Sequence, residues 1–334
     1  TDRHGVNAYS SPNDLETAMQ LLYLSYTEPR VEQQELEVGL SQLRALVPNL
    51  EKQPNFIFSM ALQQAVAASP RNVKISKELL EKVNAENIKK ALNILYGDAA
   101  GTTVIVTGNV DMNTFKPLME KYIGSIPVKA KSGKDAIDYN MVPAKGFVDN
   151  TFDVAMETPK TSVAILYSAY DIKNNLENSV ALNVLQGILD QLYTKTIRED
   201  EGGTYGVSVQ AIAMGSKDIK DCAILAMIFD TDYAKSLKLI KLAKDGLKNI
   251  AVEGPNEEYL AKTKENLLKN FPENQIQNGY WESVLNSYYV EGVDNFTTYT
   301  DVVNSVNGQT IKALVEKILS AGNETDVIMN PAEK

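Results

Sequence analysis

Apolar residues recur at helical spacing over Leu15 to Tyr26 (Leu15, Ala18, Met19, Leu22, Tyr26), behind an Asn13-Asp14 cap signal. They do so again over Glu35 to Val47, at Leu36, Leu40, Leu43 and Val47. Both stretches are predicted as amphipathic helices. Thr103 to Thr107 is predicted as a strand ended by Gly108-Asn109, and Thr114 to Tyr122 as a helix behind an Asp111 to Asn113 cap. Thr151 to Met156 and Ser162 to Tyr167 read as strands joined through Thr158-Pro159-Lys160, and so do Thr204 to Ala211 and Asp221 to Phe229. Between them, Asn178 to Ile197 is apolar around much of its circumference, the mark of a buried helix. Further helices precede a last strand over Asp326 to Met329. Strands mixed with long helices, without strict βαβ alternation, predict an α+β fold with mostly antiparallel sheets and helices packed on one face.

The pattern repeats. Val83-Asn84-Ala85-Glu86-Asn87-Ile88-Lys89 is echoed by Val306-Asn307-Gly308-Gln309-Thr310-Ile311-Lys312, and the same spacing pairs Val104-Ile105 with Val327-Ile328. Asp14 to Met19 resembles Asp232 to Leu237, and Glu35-Leu36 resembles Tyr259-Leu260, with small shifts that loop insertions explain. The chain is therefore predicted to hold about one and a half copies of a repeat of roughly 220 residues. Pro127 to Val142 carries Lys, Ser and Gly with little apolar content and reads as the linker. The expected domains are 1–128, a linker at 129–145, and a complete copy over 146–334. Because the second copy opens near Gly146, the first is expected to lack its opening segment, which would leave sheet edge and core uncovered.

Composition narrows the function classes. A chain of 334 residues exceeds one comfortable core, which agrees with two domains. The net charge of -10 opposes binding to a polyanion, because phosphate neutralisation needs clustered Lys and Arg, so no nucleic-acid partner is expected. No run approaches the ~18 consecutive apolar residues of a spanning helix, and the first residues lack the basic and apolar regions of a leader. The visible chain reads as soluble, without a membrane partner and without an address that would fix its compartment. Cys222, the one cysteine, sits in the apolar run Cys222 to Phe229 and reads as a small buried hydrophobe.

Catalytic zinc needs three protein ligands, usually including histidines, and a Ser-His-Asp centre needs one. His4 is the only histidine, near a terminus expected to fray. No metal or other cofactor is expected on this chain by itself. Val106 to Asp111 lies between a strand and a helix but lacks the glycine and lysine patterns of a phosphate-binding turn. Gly108 there reads as the end of a buried strand. The segment Ile197 to Val209 is more informative. A buried helix ends, Gly202-Gly203 makes a tight turn, and a strand begins with Tyr205, Val207 and Val209 on one face. Arg198 could hold a peptide carbonyl with its fork of donors and Tyr205 could donate to an oxyanion. A cation in a last helical turn is also favoured by the helix dipole alone, so both readings stand at this point.

Three segments carry a resemblance to the pitrilysin/insulinase zinc peptidases, whose inverted H-x-x-E-H motif sets them apart from other zinc peptidases. TVIVTGNVDMNTFKPLMEKYIGSIP over 103–127 resembles the strand-turn-helix that closes a family domain. SPNDLETAMQLLYLSYTEPR over 11–30 resembles the paired-helix region, and Arg198 and Tyr205, flanking Gly202-Gly203, match the Arg-Tyr motif of the family's C-terminal half. The resemblance implies two halves of two homologous domains enclosing a peptide chamber. This chain would supply the third domain, truncated, and the fourth. It also implies that Arg198, Tyr205, Gly202 and Gly203 contact substrate, with Tyr205 stabilising the tetrahedral intermediate. Zinc would lie in a separate N-terminal half, on the same polypeptide or on a partner chain, and the substrate would be a peptide or unfolded polypeptide. The chain itself has no H-x-x-E-H, and the helix Asn178 to Ile197, which sits where the repeat would place such a motif, offers Gln186 and Asp190 as polar side chains. Two other readings stay open: a non-catalytic scaffold or partner subunit, and a small-molecule enzyme using carboxylates such as Glu199 and Glu201.

Overall fold

The computed structural model describes residues 4–129, 141–216 and 219–332. Six helices come first: α1 (Leu15–Thr27), α2 (Gln33–Leu50), α3 (Pro54–Val66), α4 (Lys77–Glu81), α5 (Ala85–Tyr96) and α6 (Met112–Leu118). Strands β1 (Phe147–Val154) and β2 (Thr161–Ala169) follow, then α7 (Leu176–Tyr193), β3 (Ser208–Ser216) and β4 (Ile219–Thr231). Helices α8 (Tyr233–Glu253), α9 (Glu257–Asn274), α10 (Asn278–Asn286), α11 (Tyr299–Ser305) and α12 (Gly308–Ser320) lead to β5 (Asn323–Pro331). Most of the expected linker, residues 130–140, lies outside the described residues.

The chain forms two compact units, residues 1–52 with 73–137, and residues 53–72 with 138–334. The second unit thus recruits α3 from upstream of the expected linker. In the first unit Leu40, Val47 and Leu80 make a small core with Leu36, Ile75 and Val83. Asn84 caps α5 by accepting the Asn87 amide at 2.9 Å, and Asn307 caps α12 by accepting the Thr310 amide at 3.0 Å. The two ends of the sequence echo therefore start helices by the same device. Residues 102–107, expected to contain a strand, are neither helix nor strand. No strand is described elsewhere in that unit, and an extended segment without a partner has no ladder to join.

In the second unit the strand order is β1-β5-β2-β4-β3, with β1 parallel to β5 and every other pair antiparallel. β2 is buried along its whole length, as its run of apolar residues requires. One sheet face and α7, α8, α9 and α12 share the main core, centred on Ile165, Leu185, Leu189, Leu225, Leu239 and Val315. The opposite face is covered as well: Ala164, Leu166, Ala226 and Val327 pack against Phe58, Ala61, Leu62 and Ala65 of α3. The one-face expectation missed this layer because α3 lies outside the predicted 146–334 domain.

A polar island interrupts the main face. Lys244 of α8 reaches Glu324 Oε1 at 2.6 Å and Asp326 Oδ2 at 2.5 Å on β5. Burial would depress the Lys244 ammonium, but its hydrogen bonds to Asp326 and Glu324 prevail and hold it above the usual lysine range. Burial pushes the Asp326 carboxyl up against the pull of Lys244.

Candidate functional site

The candidate site is the connection from α7 to β3. The last turn of α7 widens into a π-turn over Thr194–Glu199, closed by the Asp200 amide on the Lys195 carbonyl at 3.0 Å. Tyr193 and Ile197 anchor this turn in the core, fully buried, with the Tyr193 hydroxyl donating to the Ala243 carbonyl at 2.8 Å. Ile197 faces inward and Arg198, next along the turn, is exposed.

Beyond it, Gly202 sits at φ +55°, a conformation that costs a residue with a Cβ. Gly203 is needed for a different reason: a Cβ there would lie 2.6 Å from Leu239 Cδ1. The Gly203 carbonyl accepts the Thr231 hydroxyl at 2.6 Å. Lys235 donates to the carbonyls of Glu201 and Gly202 at 3.4 and 3.3 Å. The Thr204 hydroxyl closes a small turn, accepting the Gly206 amide at 3.3 Å and donating to the Gly206 carbonyl at 3.0 Å. Tyr205 is the apex of that turn and is 99% exposed. The strand expected from Thr204 begins only at Ser208, because the Thr204–Gly206 turn diverts the backbone from the ladder. Tyr205 and Val207 therefore both precede the strand, and of the three only Val209 lies in it.

The charges around the turn are matched. Lys195 pairs with Asp200 at 2.7 Å and Glu199 at 3.7 Å, and Lys238 pairs with Glu201. These acids form a solvated, lysine-paired rim, which counts against a role as catalytic carboxylates. Arg198 and Tyr205 make no hydrogen bond or ion pair among the described residues. Two open grooves are lined by Lys145, Tyr170 and Lys317, and by Leu260, Lys264 and Asn304, and neither includes Arg198 or Tyr205. Arg198 and Tyr205 lie at an exposed surface.

The residues at hand do not fit a catalytic zinc. Gln186 Oε1 accepts the Ala211 amide at 3.2 Å. Asp190 is pushed up by burial and drawn back by the Val209 amide. Both side chains thus engage backbone of the edge strand β3. Among the described residues no group of three or more His, Cys, Asp or Glu could hold a metal ion. His4 is exposed, with Nε2 2.8 Å from the Leu95 carbonyl and its ring edge-on to Tyr96, so it has local partners instead of fraying freely. Cys222 is fully buried, and burial pushes its thiol up to about 11, which removes the thiolate that reactivity needs. No helix among the described residues is long and apolar enough to cross a membrane.

The sequence pattern singled out Arg198, Gly202, Gly203 and Tyr205. It missed Thr231, Lys235 and Leu239, which hold the turn from the end of β4 and the start of α8. No local spacing signals contacts made 28 to 36 positions away, from Thr231 to Gly203 and from Leu239 to Gly203 (239 − 203).

Comparison with known proteins gives a consistent picture. The family model described as the peptidase M16 inactive domain matches residues 82–267, more than half of the chain. A zinc protease PQQL-like protein of Arabidopsis thaliana is 25% identical over 286 residues, covering 80% of this chain and 29% of the relative. A probable zinc protease PqqL of Haemophilus influenzae is 21% identical over 342 residues, covering 99% of this chain and 35% of the relative. The crystal structure of the periplasmic protease PqqL of Escherichia coli superposes with a TM-score of 0.77 at 17% identity, over 96% of this chain and 35% of that one. The chain spans about a third of the length of the curated relatives it matches.

Proposed function

The chain belongs to the M16 peptidase family, as that family's inactive domain, and from this premise we propose that it forms the substrate-contacting, non-catalytic half of a zinc-dependent endopeptidase. In this reading residues 1–128 and 146–334 are the third domain, truncated, and the fourth domain of a four-domain enzyme, joined through the 129–145 segment. The zinc-bearing half, on the same polypeptide or a partner chain, carries out hydrolysis. This chain supplies a wall of the chamber and the two side chains that meet the peptide backbone.

The observation that carries the proposal is the contrast within the α7–β3 turn. Lys195 and Lys238 pair with the acids of the turn and Lys235 holds its carbonyls, while Arg198 and Tyr205 are exposed without a partner among the described residues. An exposed tyrosine with no packing contributes little to folding, and a guanidinium fork left open suits a planar carbonyl or carboxylate. Arg198 would hold the peptide backbone, and Tyr205 would donate its hydroxyl to the oxygen that becomes negative as the carbonyl is attacked. Gly202 and Gly203 keep the turn low enough for a peptide to approach.

Arg198→Ala, made in the chain joined to its zinc-bearing half, should raise KM for an unstructured polypeptide roughly tenfold, the cost of about one charge-assisted hydrogen bond. An unchanged KM would remove Arg198 from substrate binding and favour a scaffold role.

A further inference from the structure

Tyr205 is 99% exposed, so no side-chain packing fixes where its hydroxyl stands. Its position is set by its own backbone. Residues 201–206 make no backbone–backbone hydrogen bond among the described residues. The turn is held by side chains instead, and three of its ties come from one place, the end of β4 and the first turns of α8. Lys235 holds two carbonyls at long distances, one of them at an exposed position. Leu239 supplies the surface on which Gly203 rests. The short, buried tie is the Thr231 hydroxyl on the Gly203 carbonyl, at 2.6 Å and two residues before Tyr205. Thr231 is 5% exposed, and its own backbone is locked by pairing with Thr161 across the ladder. Thr204 then transmits the constraint, tying Gly206 on the far side of Tyr205.

We propose that Thr231 is a positioning residue for Tyr205: its hydroxyl fixes the Gly203 carbonyl and so sets the height and direction at which Tyr205 meets the peptide. The inference rests on the reading of Tyr205 as a substrate-contacting group. Loss of the hydroxyl leaves a buried carbonyl without a donor, and the turn relaxes toward water to recover one. Such a shift moves Tyr205 without touching it. Misplacement of a transition-state donor appears in kcat more than in KM.

The test uses the chain joined to its zinc-bearing half, with fluorescein-labelled casein as the unstructured polypeptide, and compares four variants. Thr231→Val keeps the shape and removes the hydroxyl; it should lower kcat roughly 10-fold while KM moves less than about threefold. Thr231→Ser restores the donor and should recover kcat to within about threefold of the parent. Thr231→Val placed in a Tyr205→Phe background should cost almost nothing more, since both changes remove one interaction. The inference is overturned if Thr231→Val leaves kcat unchanged while Tyr205→Phe lowers it, or if the two losses multiply. If Tyr205→Phe itself leaves kcat unchanged, the reading of Tyr205 falls and the positioning role falls with it, a result distinct from the other two. A role in stability alone would lower the melting temperature of Thr231→Val without changing kcat at temperatures where the variant is folded.

Discussion

Gly202 and Gly203 look interchangeable in the sequence, yet their surroundings give them different duties. Gly202→Ala meets no atom within 4 Å and pays only for its φ of +55°, about 1 kcal/mol of unfolding free energy. Gly203→Ala must displace Leu239 Cδ1 from 2.6 Å in a packed core, which should cost roughly 1–3 kcal/mol. Urea denaturation of the two variants checks the order, and equal losses would contradict the packing at Leu239. Arg198, Tyr205 and the glycine pair were legible because their chemistry and spacing are local. Thr231 and Lys235 were not, since threonine and lysine near a helix start are ordinary and only the folded path of β4 brings them under the turn. Tyr205 itself was placed in a strand by alternation with Val207 and Val209. The Thr204 hydroxyl decided otherwise, by offering the backbone a local turn in competition with the ladder.

At the scale of elements, periodicity found α1, α2, α7 and all five strands, with boundaries off by a few residues. It failed where neighbours decide the outcome. Residues 102–107 have strand-forming side chains but no described strand of their unit to pair with, and α3 is apolar around much of its circumference, so its pattern does not reveal what it covers. Because Phe58, Ala61 and Leu62 pack on Leu166 and Val327, Leu62→Asp, which puts a charge into a half-buried apolar contact, should destabilise the sheet unit by roughly 1–3 kcal/mol. Wild-type stability for that variant would mean that α3 does not cover the sheet. Lys244 sits between two carboxylates, so Lys244→Met should cost roughly 3 kcal/mol near neutral pH by leaving Asp326 buried and unpaired. The sign with pH follows from Asp326, whose pKa is raised in the folded state by burial. Below that raised pKa the carboxyl is neutral and needs no cation. The penalty should therefore shrink as pH falls through the carboxylate range and grow as pH rises. Denaturation at several pH values measures it, and a penalty independent of pH would contradict the pairing.

For the molecule as a whole, the resemblance to the zinc peptidases was visible in the residues, and the M16 inactive-domain match over residues 82–267 bears it out. The unit boundaries were less visible, because residues 53–72 lie with one sheet in space while standing beside the other unit in sequence. In the proposed reading, this inactive domain presents Arg198 and Tyr205 to assist a hydrolysis that the zinc-bearing half performs. Tyr205→Phe isolates that claim, since it removes one oxygen from a side chain that packs against nothing. In the chain joined to its zinc-bearing half, turnover of an unstructured polypeptide should fall roughly 100-fold with KM within about threefold of the parent, as expected for loss of one oxyanion donor. Unchanged kcat in that variant would contradict the account and leave the chain a scaffold.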